Sequence, residues 1–179
     1  EYRPTEYVQE WMSFWFQKDK RLKVAKQFQL WRIEYLKEVW GKDKDLHAEG
    51  FFPNDQLLNK ITLKIESAST INNLLTNEMA LTKKLYHIAA TNTKTTGFTR
   101  RHEKLDDTNV FLNHGNYLSY GLAATTLWVL GIPHGFAVMH GKTRRGALVF
   151  DVADLIKDTL ILPWAFICAK EEASEQEFR

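Results

Sequence analysis

Ile71-Asn-Asn-Leu-Leu-Thr-Asn-Glu78-Met-Ala-Leu-Thr-Lys-Lys-Leu-Tyr-His-Ile88 is the stretch on which the fold turns. Its apolar positions Ile71, Leu74, Leu81, Leu85 and Ile88 recur at the three- and four-residue spacing of one buried helix face. The place that completes the series, four after Leu74 and three before Leu81, holds Glu78. Burying an unpaired carboxylate costs several kcal/mol, on the order of a domain's whole stability. Glu78 therefore either meets a core Arg or Lys or faces an open cleft. Lys83 and Lys84 share its helix but lie too far round it, so a pairing cation must come from another element.

Helical patterning continues on both sides. Thr70 caps this helix, which runs to about Ala90. Upstream, Thr5 caps a helix to about Lys18, with Val8, Trp11, Met12, Trp15 and Phe16 as its apolar stripe. Asp19 caps a second helix from Lys20 to Trp40, and Gly41 stops it. Lys42 to Phe52 reads as a charged loop, and Asn54 or Asp55 starts a helix to Glu66. Downstream, the polar stretch Thr91 to Asp107 reads as a loop. Thr108 caps a long helix to Gly131, with Pro133 just beyond. Gly135–His140 and Ala147–Phe150 read as two short extended pieces around a turn, Lys142 to Gly146. From Asp151 the pattern is helical to the end, with a kink before Pro163. The fold expected is mainly α: one all-helical domain over residues 1–179 with at most one short β-hairpin.

Composition bounds the function. The chain has 179 residues, 44% of them hydrophobic, which suits one domain with a sizeable core and excludes a disordered chain. A net charge of +2 excludes a protein that coats nucleic acid by bulk charge, so any such role rests on local patches. Lys18, Lys20, Arg21, Lys23 and Lys26 read as a solvated face opposite Leu22, Phe28 and Trp31 rather than a DNA track. Trp11, Trp15, Trp31 and Trp40 read as core, and Gly115 and Gly121 as close-packing positions within a helix. The lone cysteine, Cys168, rules out an internal disulfide and reads as a buried hydrophobe in a reducing compartment. Glu1 to Pro4 is polar and no run is long enough to span a bilayer, so a soluble cytoplasmic protein with no membrane partner is expected. No P-loop, GxGxxG, HExxH or CxxC motif is present.

Two further places carry chemistry. His140 ends the apolar run Phe136-Ala-Val-Met, immediately before Gly141 and a basic turn. In Phe150-Asp151-Val-Ala-Asp154-Leu-Ile-Lys157, Asp151 stands where a helix N-cap belongs and Asp154 three residues on. Asp151 and Asp154 can simply serve the first turn of a helix, and His140 can be a satisfied structural residue. Alternatively, one Glu, one imidazole and one or two Asp converge on a divalent cation, with Mg2+ or Mn2+ suiting that donor set. Lys142, Arg144, Arg145 and Lys157 then offer charge for a polyanionic substrate. A helical protein-interaction domain and a metal-dependent phosphohydrolase of a small substrate remain open alternatives.

The segment from His140 to Lys157, with Phe111-Leu-Asn-His-Gly-Asn-Tyr-Leu-Ser-Tyr-Gly121 upstream, resembles the CRISPR-associated integrase family (Cas one), closest to its subtype I-F branch. The likeness covers Ile71 to Arg179 best. It implies an all-helical catalytic domain whose Glu78, His140 and Asp154 bind a catalytic Mg2+ or Mn2+, with Asp151 as a supporting carboxylate. Tyr120 falls at an active-site tyrosine, and Lys157 at a DNA-contacting basic position. The implied activity is that of an endonuclease and integrase on double-stranded DNA, adding spacers to a CRISPR array in antiviral defence. A homodimer is implied, with a second adaptation protein that in subtype I-F is fused to the helicase-nuclease. The family's N-terminal β-rich domain and last helices are expected outside these residues, and the loop from Thr91 to Asp107 is short for the family.

Overall fold

The computed structural model describes residues 5–103, 106–141, 145–174 and 178. Among them all regular structure is helical: α1 (Thr5–Trp15), α2 (Lys18–Lys42), α3 (Lys44–Ala48), α4 (Asp55–Glu66), α5 (Ile71–Asn92), α6 (Asp107–Val129), α7 (Ala147–Ile156), a π-helical turn (Lys157–Ile161) and α8 (Leu162–Lys170). The expected all-α fold is the one observed.

Side-chain caps start α3, α4, α5 and α6. Asn54 and Thr70 accept amide hydrogen bonds from Leu57 and Asn73, starting α4 and α5 as anticipated. Other boundaries differ: α2 starts at Lys18 behind Gln17 with no side-chain cap, so Asp19 lies in its first turn, and it runs through Gly41 to Lys42. Asp43 accepts from the amides of Asp45 and Leu46 and builds α3 inside what reads as a loop. Asp106, not Thr108, caps α6, because its carboxylate reaches the Asn109 amide. Finally, α7 begins at Ala147, one turn before Asp151.

The last shift removes the expected hairpin. Ala147-Leu-Val-Phe150 is an apolar run too short for periodicity to separate strand from helix. Gly146 at φ 67° turns the chain into α7, and Ala147, Leu148 and Val149 bury against Ala123 and Leu127 of α6. The stretch Gly135–His140 forms no strand either; it is a bent loop tied down by α1. There the Trp11 and Trp15 indole N–H groups donate to the carbonyls of Phe136 and Ala137, at 3.0 and 2.7 Å.

α2 runs through the centre, burying Ala25, Phe28, Ile33, Leu36 and Trp40 against α4, α5, α7 and the π turn. The kink foreseen before Pro163 is that π turn. Pro163 has no N–H for the carbonyl of Thr159, four residues back. The buried indole of Trp40 donates to it instead, at 2.9 Å. Gly115 of α6 is a true close approach, since a Cβ there would strike the Ile161 side chain. Gly121 faces open space, so it is no packing position. Trp31 also departs from expectation: it is 49% exposed, on the outer side of α2 beside Phe28. On the basic face of α2, Lys18, Lys20 and Lys23 are exposed, whereas Lys26 caps the Glu66 carbonyl and Arg21 lies over the Trp15 ring, both half-buried.

Candidate metal centre

Glu78 from α5, His140 from the loop and Asp154 from α7 come together. One ligand atom from each lies within 4.8 Å of the other two. They line a cleft of about 270 Å³ between α2, α5, α6 and the α7–π junction. Asp154 is buried, and Glu78 and His140 are partly so.

Asp151 does not cap α7; it folds the loop. Its carboxylate accepts the backbone N–H groups of Val138 at 2.7 Å, Met139 at 3.1 Å and His140 at 3.1 Å. His140 Nδ1 sits 2.6 Å from Asp151 Oδ1. A carboxylate can only accept, so Nδ1 carries the proton. His140 Nε2 then faces Asp154 Oδ2 at 3.8 Å. The hydrogen bond to Asp151 raises the His140 pKa above its usual value; Asp154 and Glu78 add to this against the opposing effect of burial.

Glu78 has the core cation that its place in the stripe required. Arg32 of α2, itself only 3% exposed, puts Nη1 3.3 Å from Glu78 Oε1. Arg32 also bonds Asp158 of the π turn through Nε, at 2.9 Å, and through Nη2. Burial pushes the Glu78 pKa up; Arg32 and His140 pull it down, while Asp154 and Asp158 add to the rise. Arg32 shares its charge between two carboxylates, so burial prevails at Glu78. Arg32 itself is held firmly protonated: burial opposes this, but Asp158 and Glu78 outweigh it. Lys157 pairs with Asp154 and lies 5.2 Å over the Tyr120 ring. Burial pulls Lys157 down, yet Asp154 and Tyr120 leave its pKa raised.

Of the other expected residues, Tyr120 lines the cleft. Arg145 is exposed at the turn before α7, while Lys142 and Arg144 lie outside the described residues. Arg32 and Asp158 were not legible as site residues, although each carries a signal. Arg32 interrupts the apolar face of α2 as Glu78 interrupts that of α5, and Asp158 follows Asp154 by one helical turn.

The ligand chemistry fits a divalent cation. Glu78 and Asp158 face Arg32, Asp154 faces Lys157, and Asp151 faces the His140 imidazole. A hydrogen-bonded imidazole beside two carboxylates is a donor set for Mn2+ or Mg2+. The cleft also shares Tyr86 and Arg100 with a groove of about 750 Å³ lined by Lys83, Lys94 and Thr91.

A family described as "CRISPR associated protein Cas1" matches residues 5–179. The chain is 51% identical over 185 residues to a CRISPR-associated endonuclease Cas1 of Pseudomonas aeruginosa, covering all of this chain and 57% of that protein. Its fold is similar to that of a CAS1 protein from Thermotoga maritima, with a TM-score of 0.73 at 16% identity over 97% of this chain and 56% of that one. It is also similar to a casposase bound to an integration product, with a TM-score of 0.72 at 15% identity over 94% of this chain and 51% of that one. No described helix is long and apolar enough to cross a membrane.

Proposed function

Because this chain belongs to the CRISPR-associated Cas1 family, we propose that it carries the catalytic centre of a metal-dependent DNA endonuclease and integrase that adds spacers to a CRISPR array. The chain spans 57% of the length of the curated relatives it matches, so its activity on DNA is part of the proposal. Convergence of Glu78, His140 and Asp154 is the observation that carries the reading.

In this reading Glu78 and Asp154 each offer a carboxylate oxygen and His140 its Nε2 to one Mg2+ or Mn2+. When bound, the ion supplies Lewis acidity toward a phosphate oxygen and stabilises negative charge developing there. The chain's own residues do the rest. Asp151 fixes the tautomer and direction of His140. Lys157, paired with Asp154 at the cleft, holds a backbone phosphate and offsets its charge. Tyr120 flanks the same phosphate. Arg145, with Lys142 and Arg144 just before it in sequence, grips flanking phosphates. A 3′-hydroxyl of the incoming fragment attacks a phosphodiester of the repeat, and the displaced 3′-oxygen leaves; with water as attacker the outcome is a nick. Double-stranded DNA, a second copy of the chain and a second adaptation protein, fused to the helicase-nuclease, are the proposed partners, and the cytoplasm the proposed setting.

The small-substrate alternative requires a closed pocket. The cleft instead shares Tyr86 and Arg100 with the larger Lys- and Thr-lined groove, which favours a polymer. The test is nicking and strand transfer with Mn2+ by the intact protein, its Asp154→Ala variant and its His140→Ala variant. Both variants are expected to lose activity; undiminished activity in either overturns the assignment.

A further inference from the structure

Glu78 is gripped from α2 through both of its oxygens. Arg32 Nη1 lies 3.3 Å from Oε1, and Gln29 Nε2 donates to Oε2 at 3.2 Å. The remaining donors of Arg32 are anchored elsewhere: Nε and Nη2 to Asp158, and Nη2 to Thr82 Oγ1 at 2.8 Å. The guanidinium is thus a planar bracket with one end on α5 and the other on the π turn. A lysine at this place could balance charge but could not fix the spacing of two carboxylates, because its ammonium is a point charge on a flexible stem.

We propose that Arg32 is a positioning residue of the metal centre: its bracket holds Glu78 in the orientation that brings the carboxylate to His140 and Asp154. The inference rests on the metal-binding reading above. A role limited to balancing Asp158 makes a different forecast. Glu78 would then find the ion unaided, and removing Arg32 and the Asp158 charge together would leave binding intact.

The experiment is a Mn2+ titration of the intact protein, following the electron paramagnetic resonance of free Mn2+, with thermal melts alongside. The variants are Arg32→Lys and the double variant Arg32→Met with Asp158→Asn. The double variant removes the buried cation together with one of its carboxylates, which limits the cost of a stranded charge. Loss of a group that orients a ligand weakens metal binding by about 10–100-fold. The double variant is expected to weaken Mn2+ binding by that factor, and Arg32→Lys, which keeps the charge but not the fork, to weaken it measurably too. Wild-type affinity in a folded double variant overturns the proposal. If the double variant does not fold, wild-type affinity in Arg32→Lys overturns it. No Mn2+ binding by the wild type defeats the metal centre itself and the proposal with it, whereas wild-type binding with unaffected variants defeats only the role of Arg32.

Discussion

Replacing Asp151 by Asn isolates the physical role of the carboxylate that holds the site together. Asp151 is 4% exposed, and four donors converge on its two oxygens: the amides of Val138, Met139 and His140, and the imidazole Nδ1–H of His140. A hydrogen bond to a charged group contributes about 1.5–3 kcal/mol. Asparagine keeps one acceptor oxygen and turns an NH2 group toward the other donors. About two of the four bonds are lost, which costs about 3–6 kcal/mol out of the roughly 5–15 kcal/mol that hold a domain folded. The loop bearing His140 is released at the same time, so Mn2+ affinity should fall by about 10–100-fold. Urea unfolding followed by circular dichroism gives the first number and Mn2+ titration the second. Asp154→Asn takes away a ligand but leaves the loop bonds of Asp151 in place, so it should lose Mn2+ binding while the His140 loop stays held. An Asp151→Asn protein within about 0.5 kcal/mol of wild type, with unchanged Mn2+ affinity, would refute the assignment of loop-holding to Asp151.

Glu78→Gln removes a carboxylate that burial disfavours, so the metal-free variant should melt no lower than wild type while losing Mn2+ binding; differential scanning calorimetry with and without Mn2+ checks both. The pKa values of Glu78 and His140 are raised above their ordinary 4.5 and 6.5, so their contributions to metal-free stability are full below those values and fade as pH rises through the elevated ones. Mn2+ affinity should move the other way, strengthening with pH as His140 gives up its proton, and titrations across that range read the slope. Gly115→Ala should cost about 1–3 kcal/mol because Ile161 must shift, whereas Gly121→Ala, facing open space within the same helix, should stabilise by about 0.5–1 kcal/mol; thermal melts of the pair decide.

The sequence shows the helical fold wherever an apolar stripe runs for several turns, as in α2, α4 and α5. It misleads where the apolar run is short. Ala147-Leu-Val-Phe150 suits a strand as well as a buried helical turn, and only its contact with α6 chooses the helix. That one-turn shift also changes what Asp151 does, from capping its own helix to capping the loop before it. Glu78 is visible because it breaks a stripe; Arg32 breaks one just as plainly, but its partners lie 46 and 126 residues away, and no local pattern records such a pairing. Asp158 lies one helical turn after Asp154, but its partner Arg32 is as distant in sequence, so the spacing alone does not mark it.

The central claim is that Glu78, His140 and Asp154 close around one divalent ion. Crystals of the intact protein soaked in Mn2+ and measured at the manganese absorption edge test it directly. A single anomalous peak should lie within coordination distance of His140 Nε2 and of one carboxylate oxygen each from Glu78 and Asp154. Saturating Mn2+ with no peak in this cleft, or a peak bound only by other residues, would contradict it.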